Sequence, residues 1–397
     1  MKTGADRLEN NPTLAARLTD RAYALLAHPA SVTSSLVHVS ALLAGLGKRP
    51  RIIFGPEHGY GGEAQDMVLV EDAKDLYGTP VRSLYGDAFS DLSPREEDLE
   101  GCELLVIDLQ DVGSRYYTFV WTAVLVMRVA AKRGIPVLVL DRPNPLGQAL
   151  VEGRALDPAF RSFVGLEPVA VRHGLTLGEI CAWRADVEGL PKEALTVVGC
   201  EGVTDDTVAA SWDRPFVMTS PNMPTFETAL VYPGGCLLEG TNLSDGRGTT
   251  RPFELTGAPW LDGDRLASEL RSTKLPGFVA RPVTFLPTFH KHAKIPCGGV
   301  QIHVTDRNTF RPYATYLALV ALAQSAHPEH FRFRTEKYEF VDDIPAFDLL
   351  TGRKEPRERI LANEDPRAIA EDESNVPPED LHTLAMARAA GASRSVR

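Results

Sequence analysis

The sequence predicts an α/β protein: a Rossmann-like, doubly wound parallel sheet domain followed by a smaller α+β domain. Three observations predict it. Short β-rich runs alternate with helical patterns through the first half of the chain, which is how a parallel sheet covered on both faces reads. The Pro/Gly-rich passage Tyr232-Pro233-Gly234-Gly235 then changes the texture. Finally, 397 residues is more than one domain usually holds. The boundary is expected near residue 230, giving a first unit, 1–230, and a second, 231–397.

The strands expected in the first unit are Ala22–Ala27, Arg51–Phe54, Val81–Leu84, Leu104–Leu109 and Pro136–Leu140, short runs bounded by polar residues and turn formers. Helices are expected between them at Ser35–Leu46, Pro94–Leu99 and Tyr117–Arg133. The last repeats Val120, Val124, Met127 and Ala131 at helical spacing. Ser93-Pro94 supplies an N-cap and a proline at the first helical position. Past Asp141 the alternation loosens: Val169–Val171, a helix at Leu177–Glu188 behind an N-cap at Thr176, Leu195–Val198 and Phe216–Thr219. The second unit offers strands near Val279–Phe285 and Gly299–Val304, and helices near Asp264–Ser272, Tyr313–Ser325 and Pro378–Ala389.

Composition narrows the function classes. Hydrophobic residues at 44% and charged residues at 24% are globular values and exclude disorder and fibres. Forty-two Lys and Arg against 53 Asp and Glu leave a net charge of −11, with no basic cluster to track phosphates, so nucleic acid is not an expected partner. The longest apolar runs fall far below the roughly 20 residues of a membrane helix, so no membrane insertion is expected. Met1–Asn11 is polar, and the location expected for the chain as given is cytoplasmic, or exported if a signal has been removed. Cys102, Cys181, Cys200, Cys236 and Cys297 form no C-x-x-C pair and read as small buried hydrophobes.

In an open α/β sheet, ligands bind beyond the carboxyl ends of the strands. Three consecutive strand ends are dense in polar groups: Gly55-Pro56-Glu57-His58-Gly59, Gln110-Asp111-Val112-Gly113-Ser114-Arg115-Tyr116-Tyr117 and Asp141-Arg142-Pro143-Asn144-Pro145. Helix caps and turns alone would account for Asp141, Asn144 and Gly113. They do not account for Glu57, which neither caps a helix nor belongs to a periodic solvated face. A second polar group follows in Ser220-Pro221-Asn222-Met223-Pro224-Thr225 and in the long glycine-rich stretch Leu238–Pro252, set between the strand-like runs Cys236–Leu238 and Phe253–Leu255.

Several patterns argue the other way. Gly59-Tyr60-Gly61-Gly62-Glu63-Ala64 matches the dinucleotide fingerprint formally, but four residues separate it from the strand and Asp66–Val70 is a poor helix opening. No cofactor is expected. Asp108, Asp111 and Asp141 suit a hard cation or sugar hydroxyls equally well, and His290 and His292 lack a third ligand, so no metal site is assigned.

The runs Phe54-Gly55-Pro56-Glu57-His58-Gly59, Ser83-Leu84-Tyr85-Gly86, Asp111–Thr118, Leu140–Pro145, Val171-Arg172-His173-Gly174, Ser220–Thr225, Leu238–Asn242, Gly246–Phe253 and Cys297–Gln301 together resemble the bacterial exo-β-N-acetylmuramidase family. The resemblance runs from about residue 20 to about residue 360. It implies a Rossmann-like domain without a nucleotide and an active site in the cleft between two domains. The implied enzyme is a glycosidase that releases β-1,4-linked N-acetylmuramic acid (MurNAc) from the non-reducing end of peptidoglycan fragments in cell-wall recycling. MurNAc-containing oligosaccharides are then the expected partners.

Such a cleavage needs a proton donor and a second group, usually two carboxyls. Glu57 is the expected acid, with Glu239 as its partner, then Asp111, then Asp141. The lactyl carboxylate of MurNAc calls for a guanidinium, supplied by Arg247, Arg142 or Arg115. Asn222, Asn242 and His173 are expected at the amide and hydroxyls, and His58, Tyr116 and Asn144 in the same binding group. Retaining, inverting and substrate-assisted chemistry all fit. A non-catalytic sugar-binding protein and, further off, a nicotinamide-dependent oxidoreductase are the rival readings.

Overall fold

The computed structural model describes residues 1–19, 21–47, 49–65, 68 and 72–396. The strands are β1 (Tyr23–Ala27), β2 (Ile52–Gly55), β3 (Ala73–Lys74), β4 (Pro80–Ser83), β5 (Leu104–Asp108), β6 (Val137–Leu140), β7 (Leu195–Val198), β8 (Leu255–Ala258), β9 (Phe278–Phe285), β10 (Cys297–Val304) and β11 (Ser395–Val396). The helices are α1 (Gly4–Glu9), α2 (Pro12–Thr19), α3 (Val39–Gly45), α4 (Phe119–Lys132), α5 (Leu177–Val187), α6 (Phe226–Gly235), α7 (Gly263–Ser272), α8 (Pro312–Ala326), α9 (Ala346–Thr351), α10 (Glu355–Leu361), α11 (Pro366–Ser374) and α12 (Pro378–Arg394).

Eight strands make one sheet in the order β11-β7-β6-β5-β1-β2-β4-β3. All pairs are parallel except β3 with β4. β1, β5 and β6 are buried at every residue, which is why they read as unbroken apolar runs rather than alternating ones. A smaller antiparallel sheet, β8-β10-β9, lies in the second half. The predicted α/β class with a smaller second sheet is the observed one. Among the described residues, no helix is long and apolar enough to cross a membrane.

Local predictions fail where tertiary burial overrides pattern. Val169–Val171 and Phe216–Thr219 are not strands; next to the former there is only the isolated bridging of Arg172 with Ser114 and Glu152. Pro94–Leu99 shrinks to a 3-10 turn at Glu96–Leu99, and Ser93 ends the preceding turn instead of capping this one. Cys236–Leu238, read as strand-like, opens the 3-10 turn Cys236–Gly240 that extends α6. α6 itself is buried along nearly its whole length, so it shows no amphipathic period to detect.

The end of the chain returns to the first sheet. β11 pairs with β7 and α12 packs on α5, so the last segment of the chain covers an edge of the large sheet rather than joining the second unit. β11 becomes the edge strand, and at two residues it is short, one of the ways native sheets blunt an edge. One apolar core, including Trp121, Tyr116, Tyr232, Phe253, Tyr316 and Phe347, runs through both units. Glycines allow close packing within the second unit: a Cβ on Gly240 would lie 2.6 Å from Phe347 Cα, and one on Gly234 would meet the Pro312 carbonyl. The 3-10 turn that carries Glu239 is therefore clamped between α6, α8 and α9.

Candidate active site

A cavity opens where the loop after β2 and the start of α4 face the segment after α6. Its walls include Glu57, His58, Tyr116, Thr118, Asn222, Glu239, Arg247, Phe253, Tyr338 and Glu339. Of the residues singled out in the sequence, the structure brings Glu57, His58, Tyr116, Asn222, Glu239 and Arg247 to this one space.

Glu57 is 6% exposed. The turn delivering it is tight: Gly59 N–H donates to the Pro56 carbonyl at 2.9 Å, and His58 holds φ 69°, with Nδ1 2.9 Å from the Ala64 carbonyl oxygen. Thr118 stands at the N-cap of α4 but makes no side-chain cap bond. Its hydroxyl donates instead to Glu57 Oε2 at 2.7 Å. An N-cap threonine normally serves its own helix; here that hydroxyl orients the buried carboxyl.

Glu239 is fixed at both oxygens. Arg247 Nη2 lies 2.7 Å from Oε1, and the Tyr338 hydroxyl donates to Oε2 at 2.6 Å. Arg247 also donates from Nη1 to Asp245 Oδ2 at 3.0 Å and sits 4.8 Å above the Phe253 ring. Asp245 is fully buried. Burial alone would raise its pKa, but Arg247, Lys291 and His290 hold its carboxyl well below the usual carboxylate range. His290 and Lys291 lie 3.6 and 3.5 Å from it, and His292 Nε2 is 2.7 Å from the Asn242 carbonyl oxygen. The histidine pair thus braces the glycine-rich stretch.

Asn222 donates to Gln65 Oε1 at 2.8 Å. Tyr116 contributes its ring to the wall, while its buried hydroxyl finds no hydrogen-bond partner among the described residues. Glu339 also lines the cavity, 3% exposed, and accepts from the Tyr85 hydroxyl at 3.3 Å on both oxygens. Sequence reasoning missed it, because Lys337-Tyr338-Glu339-Phe340 carries no local signal that separates it from an ordinary loop.

The other seven predicted residues do not line this cavity, and each makes a bond elsewhere in the fold. Asp111 accepts from Gly113 N–H at 2.8 Å and lies 3.2 Å from His173 Nε2, while His173 Nδ1 accepts from Leu175 N–H at 3.1 Å. Asp141 accepts from Thr176 Oγ1 at 2.7 Å and from Gly178 N–H at 2.9 Å, tying β6 to the start of α5. Burial pushes its carboxyl up to about 6 despite those donors. Arg142 forms a two-point pair with the fully buried Asp108 and donates to the Val32 carbonyl at 3.0 Å. Asn144 bonds Leu146 N–H and the Leu175 carbonyl at 2.9 and 3.0 Å. Arg115 is wholly buried and donates to the carbonyls of Arg154, Val169 and Leu350 at 2.9, 3.0 and 2.8 Å. Asn242 bonds the His330 carbonyl and Arg332 N–H, both at 2.9 Å. These residues are the frame, and the chemistry that suggested function serves it: polar and charged side chains satisfy backbone groups and buried charges between the loops.

Asp108, Asp111 and Asp141 therefore face separate protein partners. Gly59–Gln65 is irregular and starts no helix; of Asp66–Val70, expected to be a poor helix opening, all but Val68 lies outside the described residues. A second, larger cleft, lined by Phe226, Leu230, Arg251, Glu254 and His303, receives none of the predicted residues.

A family model described as Exo-beta-N-acetylmuramidase NamZ, N-terminal, matches residues 23–227, and its C-terminal companion matches residues 230–375. The chain is 40% identical over 362 residues to the peptidoglycan beta-N-acetylmuramidase NamZ of Bacillus subtilis (strain 168), covering 91% of this chain and 84% of that protein. Two crystal structures of DUF1343 family proteins from Bacteroides fragilis NCTC 9343 share its fold. One has a TM-score of 0.85 at 27% identity, covering 98% of this chain and 97% of that one. The other has a TM-score of 0.70 at 25% identity, covering 98% of both.

Proposed function

The chain belongs to the exo-β-N-acetylmuramidase family, and on that premise we propose that it hydrolyses β-1,4-linked MurNAc from the non-reducing end of peptidoglycan fragments. The observation that carries this reading is the meeting of two buried carboxyls, Glu57 and Glu239, at one cavity from opposite units of the fold.

Glu57 is the proton donor to the glycosidic oxygen. Its neighbours Tyr117 and Phe119 line the same wall, and Thr118 fixes one of its oxygens, leaving a defined direction for proton delivery. Glu239 is the second carboxyl. A group held by both Arg247 and Tyr338 has a set orientation, which is what steering a water or the substrate's acetamido group requires. Arg247 is the predicted guanidinium that reaches the cavity, and we assign it the lactyl carboxylate; Asn222 takes an amide or hydroxyl of the same sugar.

The test pairs a chromogenic β-N-acetylmuramide with the matching β-N-acetylglucosaminide. Release from the muramide alone is expected, and Glu57→Gln should slow it by about 10²–10⁴-fold, the usual worth of a general acid. Undiminished muramide binding without turnover by the parent protein would replace this reading with a sugar-binding one.

A further inference from the structure

The turn that carries Glu339 has an unusual backbone. Tyr338 N–H donates to the Val341 carbonyl at 2.8 Å and Val341 N–H returns to Tyr338 at 3.0 Å, so Glu339 and Phe340 are the two central residues of a minimal hairpin turn. Both have positive φ, 43° and 69°. Turns of this kind favour Asn and Gly, because a larger side chain is strained there. A Glu-Phe pair in that conformation needs compensation from its surroundings.

The surroundings are specific for all three side chains. Tyr338 reaches Glu239. Phe340 packs among Tyr85, Phe89 and Phe163, with ring centroids 5.9, 6.3 and 6.3 Å away, which anchors the turn on the first unit. Glu339 is thereby held at the cavity wall against the Tyr85 hydroxyl. One strained turn spans the two units and places a third carboxyl beside the other two.

Resting on the function proposed above, we infer that Glu339 is the residue that recognises the free end of the chain, accepting hydrogen bonds from the 4- and 6-hydroxyls of the terminal MurNAc. A carboxylate only accepts hydrogen bonds, so it is repelled by the lactyl carboxylate at C3, and the acetamido N–H at C2 is already taken by Glu239 or Asn222 in the reading above. The 4- and 6-hydroxyls offer two donors to its two oxygens. In a β-1,4 chain the 4-hydroxyl is free only at the non-reducing terminus. A further sugar on that oxygen would remove the donor, and the carboxylate would lose its partner. Exo-action then follows from this acceptor.

The test is a double-mutant cycle between protein and substrate. Aryl MurNAc, its 4-deoxy analogue and its 6-deoxy analogue are compared on the parent protein, Glu339→Gln and Glu339→Ala. On the parent, losing the 4-hydroxyl should lower kcat/KM by about 10–100-fold, the value of a hydrogen bond to a charged group. On Glu339→Ala the same deletion should cost less than about 3-fold, because the interaction is already gone. Glu339→Gln, which keeps an acceptor oxygen and nearly the same volume, should fall between them. Equal losses on parent and variants for both deoxy sugars would overturn the inference, as would a fall in kcat for Glu339→Ala that is the same for all three substrates, which marks a reacting group instead. No hydrolysis of the intact muramide by the parent would fail the underlying function instead. Glu339→Asn guards against misfolding: it relieves the strained backbone, so its melting temperature should not fall while its 4-hydroxyl discrimination does.

Discussion

The polar residues at the ends of β5 and β6 and those around the cavity are the same types, yet they do opposite work. Asp111, Asp141, Arg142 and Asn144 each bond a backbone group or a buried partner within the fold, away from the cavity. Glu57, Glu239 and Glu339 are engaged by side chains, those of Thr118, Arg247, Tyr338 and Tyr85, and share one cavity wall. A buried carboxyl bonded to backbone N–H groups, with or without a side chain, fixes where the chain turns. One held by side chains at a cavity fixes a direction in space, which is what a reaction needs.

Exchanging the two regions' residues should separate rate from stability. The largest effect belongs to the cavity: Glu57→Gln and Glu239→Gln should each lower kcat by about 10²–10⁴-fold. For Glu57→Gln the urea midpoint should stay unchanged, and a shifted one would put it in the frame; Glu239→Gln also breaks the buried pair with Arg247 and should lower the midpoint. Next comes Arg142→Ala, which leaves Asp108 as an unpaired buried charge and should cost about 3–5 kcal/mol of stability while kcat per folded molecule stays constant. Thr118→Val probes the border between the regions. Because its hydroxyl serves Glu57 and not the helix end, kcat should fall about 10-fold, with stability changing by less than about 1 kcal/mol.

The smallest effect is a pH dependence of the frame. Burial pushes the Glu152 carboxyl up from 4.5 to about 7, although Ala314 N–H and Arg172 oppose the shift. A raised folded-state value means its contribution is complete below about 4.5 and is lost as pH rises through about 7. Melting temperature should therefore decline by about 1–3 °C more between pH 5 and 8 in the parent than in Glu152→Gln. Parallel slopes for the two proteins would show that this group does not control it.

Much of the fold was legible because its cause is local. β1, β5, β6 and β7 declare themselves as short apolar runs between turns, and α5 by its cap at Thr176, which does accept from Glu179 N–H. Glu57 was legible by elimination, since no capping or surface role suits it. α6 was not, since a helix buried on all sides has no polar face to mark its period. Nor was the place of Asp111 beside Gly113 and His173, because a cap and a reacting group require the same carboxyl.

The sequence by itself determined the parallel α/β order, the strand ends where polar groups gather, the family resemblance and the pairing of Glu57 with Glu239 as first choice. Only the tertiary structure decided which of those groups share a space: it removed Asp111, Asp141 and Arg142 to the frame, returned α12 and β11 to the large sheet, and brought Glu339 to the cavity. The reason is range. Periodicity and caps are set by hydrogen bonds between residues a few positions apart, whereas Tyr85 and Glu339 lie 254 positions apart and meet only because the two units pack on one core.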